Sequence, residues 1–392
     1  MKVLYISGMY PTPAYPQKGI FCHEQVKALK RLGVEVDVAV PVPFYDRELR
    51  QSHWEYEGVP IRYVRFFKLP GARDFQRTGK NLFPALDRVF DLAAYDLYHA
   101  DAALPSGQAA MLAGEKYGKP FVVHGHGLDV FLAESYAGLS NVEQIVSRSI
   151  EVFQKAAAVA GVSEKVLQRV RARVELGERG FVVYNGVDPE RFCPKQKPES
   201  DTVHLISVGN LIPLKGHDDT LRALRSLLDR GFRADLKLVG AGQSEGELRA
   251  LVRELGLSAQ VEFTGAVPYG EVMCLMQQSD IFVLPSWYEA LGCVYLEAMA
   301  CGLPAIGCRG NGIDEVIEDG VTGCLVENKN PAQLAETLTR LMDPALRKEM
   351  GQKAREAAAS RFTWLDSAAS ILNVYGKVTH DTPLHQEKTI QL

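Results

Sequence analysis

Two glutamates with seven residues between them, Glu289 and Glu297, bracket the segment of this chain best suited to holding a phosphorylated ligand. The stretch runs Leu284-Pro285-Ser286-Trp287-Tyr288-Glu289-Ala290-Leu291-Gly292-Cys293-Val294-Tyr295-Leu296-Glu297-Ala298-Met299-Ala300-Cys301-Gly302-Leu303-Pro304. Its pattern predicts a buried strand ending near Leu284 and a helix from about Gly292 to Ala300, with Gly302 and Pro304 as stop signals. Glu289 then falls in the loop before the helix and Glu297 about one turn inside it. Free backbone amides around Gly292 and Cys293 suit a phosphate, because they add unpaired donors to the positive end of the helix dipole. Gly292 lets such a ligand come close to the backbone. Glu289 can accept hydrogen bonds from hydroxyls beside that phosphate, and Glu297 from a diol. Alone, each could be an ordinary helix acid. Yet Glu297 sits among Leu296, Ala298, Met299 and Ala300, a costly setting for a carboxylate that is neither paired nor ligand-bound.

Four further places carry candidate chemistry. Lys215 stands between Gly209 and Gly216, just after the apolar run Leu205 to Val208. His124 and His126 lie in Val123-His124-Gly125-His126-Gly127-Leu128-Asp129-Val130, at the end of another apolar run. Gly19 follows the loop after the first apolar segment, with Glu24 expected as a first-turn helix acid. Between residues 62 and 88, Arg62, Arg65, Lys68, Arg73, Arg77, Lys80 and Arg88 alternate with Phe66, Phe67, Phe75 and Phe83, against only Asp74 and Asp87. Such a segment is either a solvated mobile loop or a face turned to an anionic membrane or a lipid-diphosphate acceptor.

The elements that must position these residues follow from periodicity. Val3 to Ile6, Phe121 to Val123 and Ala156 to Val162 read as strands of a parallel sheet, with Val34 to Val40 as an alternating one. A helix carries Val26, Leu29 and Leu32 on one stripe and ends at Gly33. The second half repeats the grammar. Strands are expected at Leu205 to Val208, Leu236 to Val239, Val261 to Phe263, Ile281 to Leu284 and Ala305-Ile306, with helices at Asp218 to Leu228 and Leu248 to Leu255. Strands alternating with helices imply an α/β chain of two doubly wound parallel-sheet domains, with ligands at the carboxyl ends of the strands in a cleft between them.

The 392 residues, 46% of them hydrophobic, suit two packed cores. A net charge of −4 argues against nucleic acid as a partner. Seven cysteines without a C-x-x-C pair fit neither a disulfide framework nor a zinc site, and point to a reducing cytosol. The domain boundary is expected in the proline-rich stretch 189–202, giving an N-terminal domain 1–188, a linker 189–202 and a C-terminal domain 203–360. A last helix within 361–378 is expected to return to the N-terminal domain, before a polar tail 379–392. The short apolar start, ending at Gly8, is neither a signal peptide nor a membrane span.

As an ordered set, the motifs resemble those of retaining glycosyltransferases of family 4, also called group 1. Glu289 and Glu297, followed by Ala-Met-Ala-Cys-Gly-Leu-Pro, resemble that family's E-x7-E signature. Val208-Gly209-Asn210-Leu211-Ile212-Pro213-Leu214-Lys215-Gly216 resembles its phosphate loop, and Tyr184-Asn185-Gly186-Val187-Asp188 its turn into the linker. Val239-Gly240-Ala241-Gly242, Phe263-Thr264-Gly265 and the segment Gly312 to Gly323 are similar to its next strand ends. Asn210 departs from the pattern, which has arginine there.

The resemblance implies a GT-B fold of two Rossmann-like domains and a hexosyltransferase that needs no cofactor. It also implies a donor set: Gly19, Asn210, Lys215, Gly265, Glu289, Ala290, Leu291, Gly292, Cys293 and Glu297. Lys215 would stabilise the leaving diphosphate, a task for a cation where no metal motif exists; no Asp-x-Asp triplet occurs. His126 would reach the donor sugar, with Asp129 as its partner acid or as an acceptor contact. Arg65, Arg73 and Arg77 would lie on the acceptor side. Retention of anomeric configuration, too, comes from the resemblance. The expected reaction moves a sugar from a UDP-sugar, or next a GDP-sugar, to a glycan or lipid-linked hydroxyl in envelope or exopolysaccharide synthesis. It would occur in the cytoplasm or on the inner membrane face. An epimerase or phosphorylase on the same architecture, and a non-catalytic nucleotide-sugar-binding protein, are the alternatives.

Overall fold

In the computed structural model, the described residues are 1–46, 52–70, 74–127, 129–131, 141–198 and 200–379. The chain forms two α/β units. Unit 1 takes Met1–Asn185 and resumes at Trp364; unit 2 takes Gly186–Thr363.

Unit 1 is built on an eight-stranded sheet. Its strands are β1 (Lys2–Ile6), β2 (Glu35–Pro43), β3 (His53–Tyr56), β4 (Val59–Phe66), β5 (Leu97–Asp101), β6 (Phe121–Gly125), β7 (Ala158–Gly161) and β8 (Gly180–Val182). Their order is β3-β4-β2-β1-β5-β6-β7-β8, and every pairing is parallel except β3 with β4. That exception is a hairpin turned by Glu57 (φ 44°) and Gly58 (φ 77°), the left-handed pair a two-residue turn requires. Among the described residues, five helices cross between strands: α1 (Ile20–Arg31), α2 (Thr78–Val89), α3 (Gln108–Tyr117), α4 (Val142–Lys155) and α5 (Glu164–Arg171).

Unit 2 has a six-stranded, wholly parallel sheet of β9 (Val203–Val208), β10 (Ala234–Val239), β11 (Val261–Gly265), β12 (Ile281–Val283), β13 (Ala305–Cys308) and β14 (Gly323–Val326). The order is β11-β10-β9-β12-β13-β14. Helices α6 (His217–Asp229), α7 (Glu245–Glu254), α8 (Tyr269–Gln277), α9 (Cys293–Ala300), α10 (Pro331–Arg340) and α11 (Pro344–Arg361) flank it. Leu205, Leu236, Ile281 and Ile306 from the sheet meet Leu221, Leu224 and Leu338 from the helices in one apolar core.

The stretch 189–202 is not a linker. Phe192 is fully buried, and the Arg355 guanidinium donates to the carbonyls of Pro189 and Phe192, both at 2.8 Å. Gln277 Nε2 donates to Cys193 O at 2.9 Å, and Lys197 pairs with Asp280. Prolines that read as punctuation thus mark a strap pinned to unit 2, and the division falls at Asn185/Gly186 instead. The second division falls at Thr363/Trp364, where α12 (Trp364–Thr379) begins. This helix belongs to unit 1 and packs on α1 with Ile371, Val374 and Tyr375 buried. Most of the expected tail, 380–392, lies outside the described residues.

The basic segment 62–88 is neither one loop nor uniformly solvated. Its first third is β4, on which Val59, Ile61, Tyr63, Val64 and Phe66 are buried while Arg62 and Arg65 are exposed. Its last third is α2, with Leu82, Ala85 and Leu86 buried. Arg73 lies outside the described residues.

Candidate functional site

In unit 2 the chain runs from β9 outward through β10 and β11, then crosses to β12 and continues the other way. The crevice outside the carboxyl ends of β9 and β12 is therefore the switch point of the sheet, where ligands of open α/β sheets bind. Two loops meet there. After β9 the backbone makes a short turn, Pro213–Lys215, and enters α6. After β12 it runs through Trp287 and Glu289 into α9. The Trp287 amide donates to Leu214 O at 2.8 Å, which ties one loop to the other.

That tie brings Lys215 and Glu289 together. Lys215 Nζ donates to Glu289 Oε2 at 2.5 Å, with the two side chains 19% and 13% exposed. Asn311, itself buried, holds the Glu289 end of the pair. Its Oδ1 accepts from the Glu289 amide at 3.1 Å and its Nδ2 donates to Ser286 O at 3.1 Å. The Gly312 amide adds a bond to Glu289 O at 3.0 Å. Two of Glu289's backbone groups are therefore spoken for, and its carboxylate is aimed at the lysine.

Gly292 precedes α9 at φ 81°. A Cβ here would lie 2.7 Å from Tyr295 Cδ2 and 2.9 Å from Glu289 Cγ, so glycine is required both by conformation and by the glutamate beside it. No side chain at the N-cap bonds into the first turn of α9. Cys293 is partly exposed, Ala290 likewise, whereas the Leu291 side chain is fully buried, leaving only its backbone for a ligand.

Glu297 is not solvated: it is 7% exposed. Tyr269 OH donates to its Oε1 at 2.7 Å, and the Arg191 guanidinium lies 4.5 Å over the Tyr269 ring. Burial pushes the Glu297 carboxyl up to about 7, against the opposing pull of the Tyr269 bond and the Arg191 charge. Neither Tyr269 nor Arg191 was legible as a site residue in the sequence, because each acts across distant chain segments. Asn210 is exposed, and its carbonyl accepts from the Ile212 amide at 2.9 Å and from His217 Nε2 at 3.3 Å. Gly265 ends β11, which has β10 and β9 between it and β12, so it edges this crevice rather than entering the Lys215–Glu289 cluster.

In unit 1 the switch lies between β1 and β5. Gly19 caps α1 at φ 63°. A Cβ on it would be 2.1 Å from Met9 O, so the packing of the β1–α1 loop by itself demands glycine there. Glu24 sits in the second turn of α1, buried and 3.3 Å from Lys27 Nζ, not in the first turn. His126 follows β6 with its side chain 6% exposed. Asp129 is not the partner of the imidazole. Its carboxylate accepts from the His126 backbone amide at 2.9 and 3.0 Å, while His126 Nε2 lies 2.9 Å from Asp101 Oδ1, at the end of β5. The sequence signal for Asp101 was hidden because His99 and Asp101 interrupt the apolar run that would have marked β5. His124 ends inside the sheet, fully buried, and burial with His126 and His99 nearby keeps its ring well below the usual histidine range. Arg65 donates to Asp46 O at 3.2 Å, and Arg77 is exposed at the start of α2.

Comparison with known proteins now decides the family. The model for Glycosyltransferase Family 4 matches residues 19–191, and that for Glycosyl transferases group 1 matches residues 188–357. D-inositol 3-phosphate glycosyltransferase 2 of Catenulispora acidiphila is 32% identical over 73% of this chain and 72% of its own. The chain belongs to glycosyltransferase family 4, group 1. Its fold is GT-B. Sucrose-phosphate synthase from Thermosynechococcus elongatus superposes with a TM-score of 0.80 at 20% identity, over 97% of this chain and 100% of that one. Anabaena HepE in complex with UDP and glucose superposes with a TM-score of 0.74 at 20% identity, over 96% and 100%. No helix among the described residues of this family 4 glycosyltransferase is long and apolar enough to cross a membrane.

Proposed function

We propose that this glycosyltransferase takes its sugar from a nucleoside-diphosphate donor, a UDP-sugar first and a GDP-sugar next. Transfer retains anomeric configuration and needs no metal. The observation that carries the reading is the Lys215–Glu289 pair at the β9/β12 switch point, beside the N-terminus of α9. Lys215 is the cation there. A diphosphate reaching the α9 amides would share its ammonium with Glu289, and the charge that grows on the leaving phosphate would fall between Lys215 and those amides. Glu289 then accepts from a sugar hydroxyl. With Tyr269 on Oε1, Glu297 has Oε2 for a ribose diol. The leaving phosphate helps to deprotonate the acceptor on the same face, and neither glutamate acts as nucleophile. HepE supports UDP by likeness of fold, since its complex holds UDP and glucose.

Thermal shift with UDP, GDP and ADP at equal concentration tests the donor. Stabilisation by one of them is expected, and no shift with any would sink the reading. Release of nucleoside diphosphate only with an acceptor present would separate transfer from epimerisation.

The acceptor is a glycan or a lipid-linked hydroxyl, met in the cytoplasm at an anionic membrane. Phe44 and Phe67, both about half exposed, stack at 5.2 Å, and exposed Arg65 and Leu69 flank Phe67 in the chain, an apolar and cationic segment suited to lipid headgroups. Flotation on liposomes with and without anionic lipid tests this; protein that stays with the soluble fraction in both removes the membrane from the proposal.

A further inference from the structure

The carboxylate of Asp101 is fully buried at the end of β5, where three hydrogen bonds converge on one oxygen. Its Oδ1 lies 2.9 Å from His126 Nε2, 3.3 Å from His99 Nε2 and 3.1 Å from Tyr5 OH. Two chains of contacts lead from it to the last helix. In one, Tyr375 OH lies 2.7 Å from His99 Nδ1, so a proton on His99 Nε2 for Asp101 leaves Nδ1 to accept from Tyr375. In the other, Tyr5 OH also lies 3.1 Å from Gln25 Oε1 and shares its single proton between that amide and Asp101. Gln25 Nε2 in turn donates to Ser367 Oγ at 3.2 Å. The Tyr5 and His99 rings stack at 4.3 Å, which fixes the planes of both. Opposite this, His126 Nδ1 is buried with no hydrogen-bond partner among the described residues. A buried ring nitrogen left unsatisfied costs about 1–3 kcal/mol unless a ligand meets it.

We propose that Asp101 is the positioning residue of His126, fixing its ring through Nε2 so that Nδ1 is the atom offered to substrate, and that Tyr375 and Ser367 of α12 hold Asp101 in register. The inference rests on the reading of His126 as a substrate-facing histidine. Asp101 and Asp129 divide the work: Asp129 holds the His126 backbone, Asp101 its ring. Neutral His126 with its proton on Nε2 accepts at Nδ1, and protonated His126 donates there. The groups facing the pair are Tyr5 on β1, Cys22 on α1, His99 on β5, His124 on β6, Asp129 after it and Tyr375 on α12. Burial would raise the Asp101 carboxyl, but His126 and His99 hold it well below the usual range. Burial disfavours a proton on His126, but Asp101, aided by Asp129, raises that ring above the ordinary histidine value.

The test uses the full chain labelled with 15N-histidine, comparing the parent with Asp101→Asn and Tyr375→Phe. The parent's His126 should titrate above the ordinary value. Asp101→Asn should lower its proton affinity by about tenfold or more, a shift of about one pH unit. Tyr375→Phe should produce a smaller shift of the same sign. UDP affinity, read by calorimetry, should stay within about twofold of the parent in both, because the proposed nucleotide residues belong to unit 2. A parental His126 titration in both variants overturns the inference. Should Asp101→Asn not fold, Asp101→Glu and Tyr375→Phe decide between the same two outcomes. A parent that binds none of UDP, GDP and ADP would defeat the donor reading and leave the His126 titration as a separate result.

Discussion

Lys215 Nζ and Glu289 Oε2 lie 2.5 Å apart although 74 residues separate them in sequence. Each stands in the loop after a different strand of the unit 2 sheet, and the pair is mostly shielded from water. Removing either partner leaves the other as a shielded charge without its counterion, which is costlier than losing a surface pair.

Lys215→Ala should therefore weaken UDP binding on the order of a hundredfold, about 3 kcal/mol. Glu289→Gln should leave UDP affinity nearly unchanged or improve it, because the lysine is released from its pair, while slowing transfer. Calorimetry with UDP and turnover with the donor measure the two effects. Equal losses of UDP affinity in both variants would contradict the division of roles.

Gly292→Ala places a methyl group 2.7 Å from the Tyr295 ring and 2.9 Å from Glu289 Cγ, on a backbone that alanine resists. It should cost about 1–3 kcal/mol of stability. It should also turn Glu289 away from Lys215, so that donor binding falls more than the lower Tm explains. Unchanged affinity in a folded variant would show that Glu289 is not held by this contact.

Glu297 gives a pH dependence of known sign. Its folded value is about 7 against an ordinary 4.5, because burial penalises the charged form. The folded state therefore binds this proton more tightly than the unfolded state, and stability falls as pH rises from about 4.5 through 7. The loss approaches about 3 kcal/mol above that range. Glu297→Gln should remove this decline, so urea denaturation at pH 5 and pH 8 should differ less in the variant than in the parent. A decline that persists undiminished in the variant assigns it to another group.

Gly19→Ala separates two explanations of one glycine. A Cβ 2.1 Å from the Met9 carbonyl cannot be accommodated without moving the β1–α1 loop. The variant should lose about 2 kcal/mol or more of unit 1 stability. UDP affinity should stay parental if packing is the whole reason for the glycine. Loss of UDP affinity at unchanged Tm would restore a contact with the diphosphate.

The sequence carried the fold where apolar runs were unbroken. β1, β9 and β10 stood out as Val3 to Ile6, Leu205 to Val208 and Leu236 to Val239, within one or two residues of their limits. β5 did not, because His99 and Asp101 give it the composition of a loop although all five of its residues are buried. β8 and β14 each open on a glycine, Gly180 and Gly323, which reads as a turn rather than as the start of a strand. Glu289, Gly292 and Glu297 were readable because they sit within nine residues on one strand-loop-helix unit. Asn311, Tyr269, Arg191 and Asp101 were not, since only tertiary packing brings them to the residues they hold. The strap at 189–202 misled for a related reason: its polar, proline-rich text says nothing of the Arg355 and Gln277 bonds that pin it.

Because α12 belongs to unit 1 while everything from Gly186 to Thr363 belongs to unit 2, the first unit is discontinuous in the gene. A ribosome finishes all of unit 2 before it releases Ile371, Val374 and Tyr375, the side chains that cover α1 and close the His99 chain. Unit 2 can fold in order of synthesis, whereas unit 1 is completed only once α12 has been made. During that interval the N-terminal part of unit 1 lacks one covering helix, and α1 keeps apolar surface that α12 will later bury.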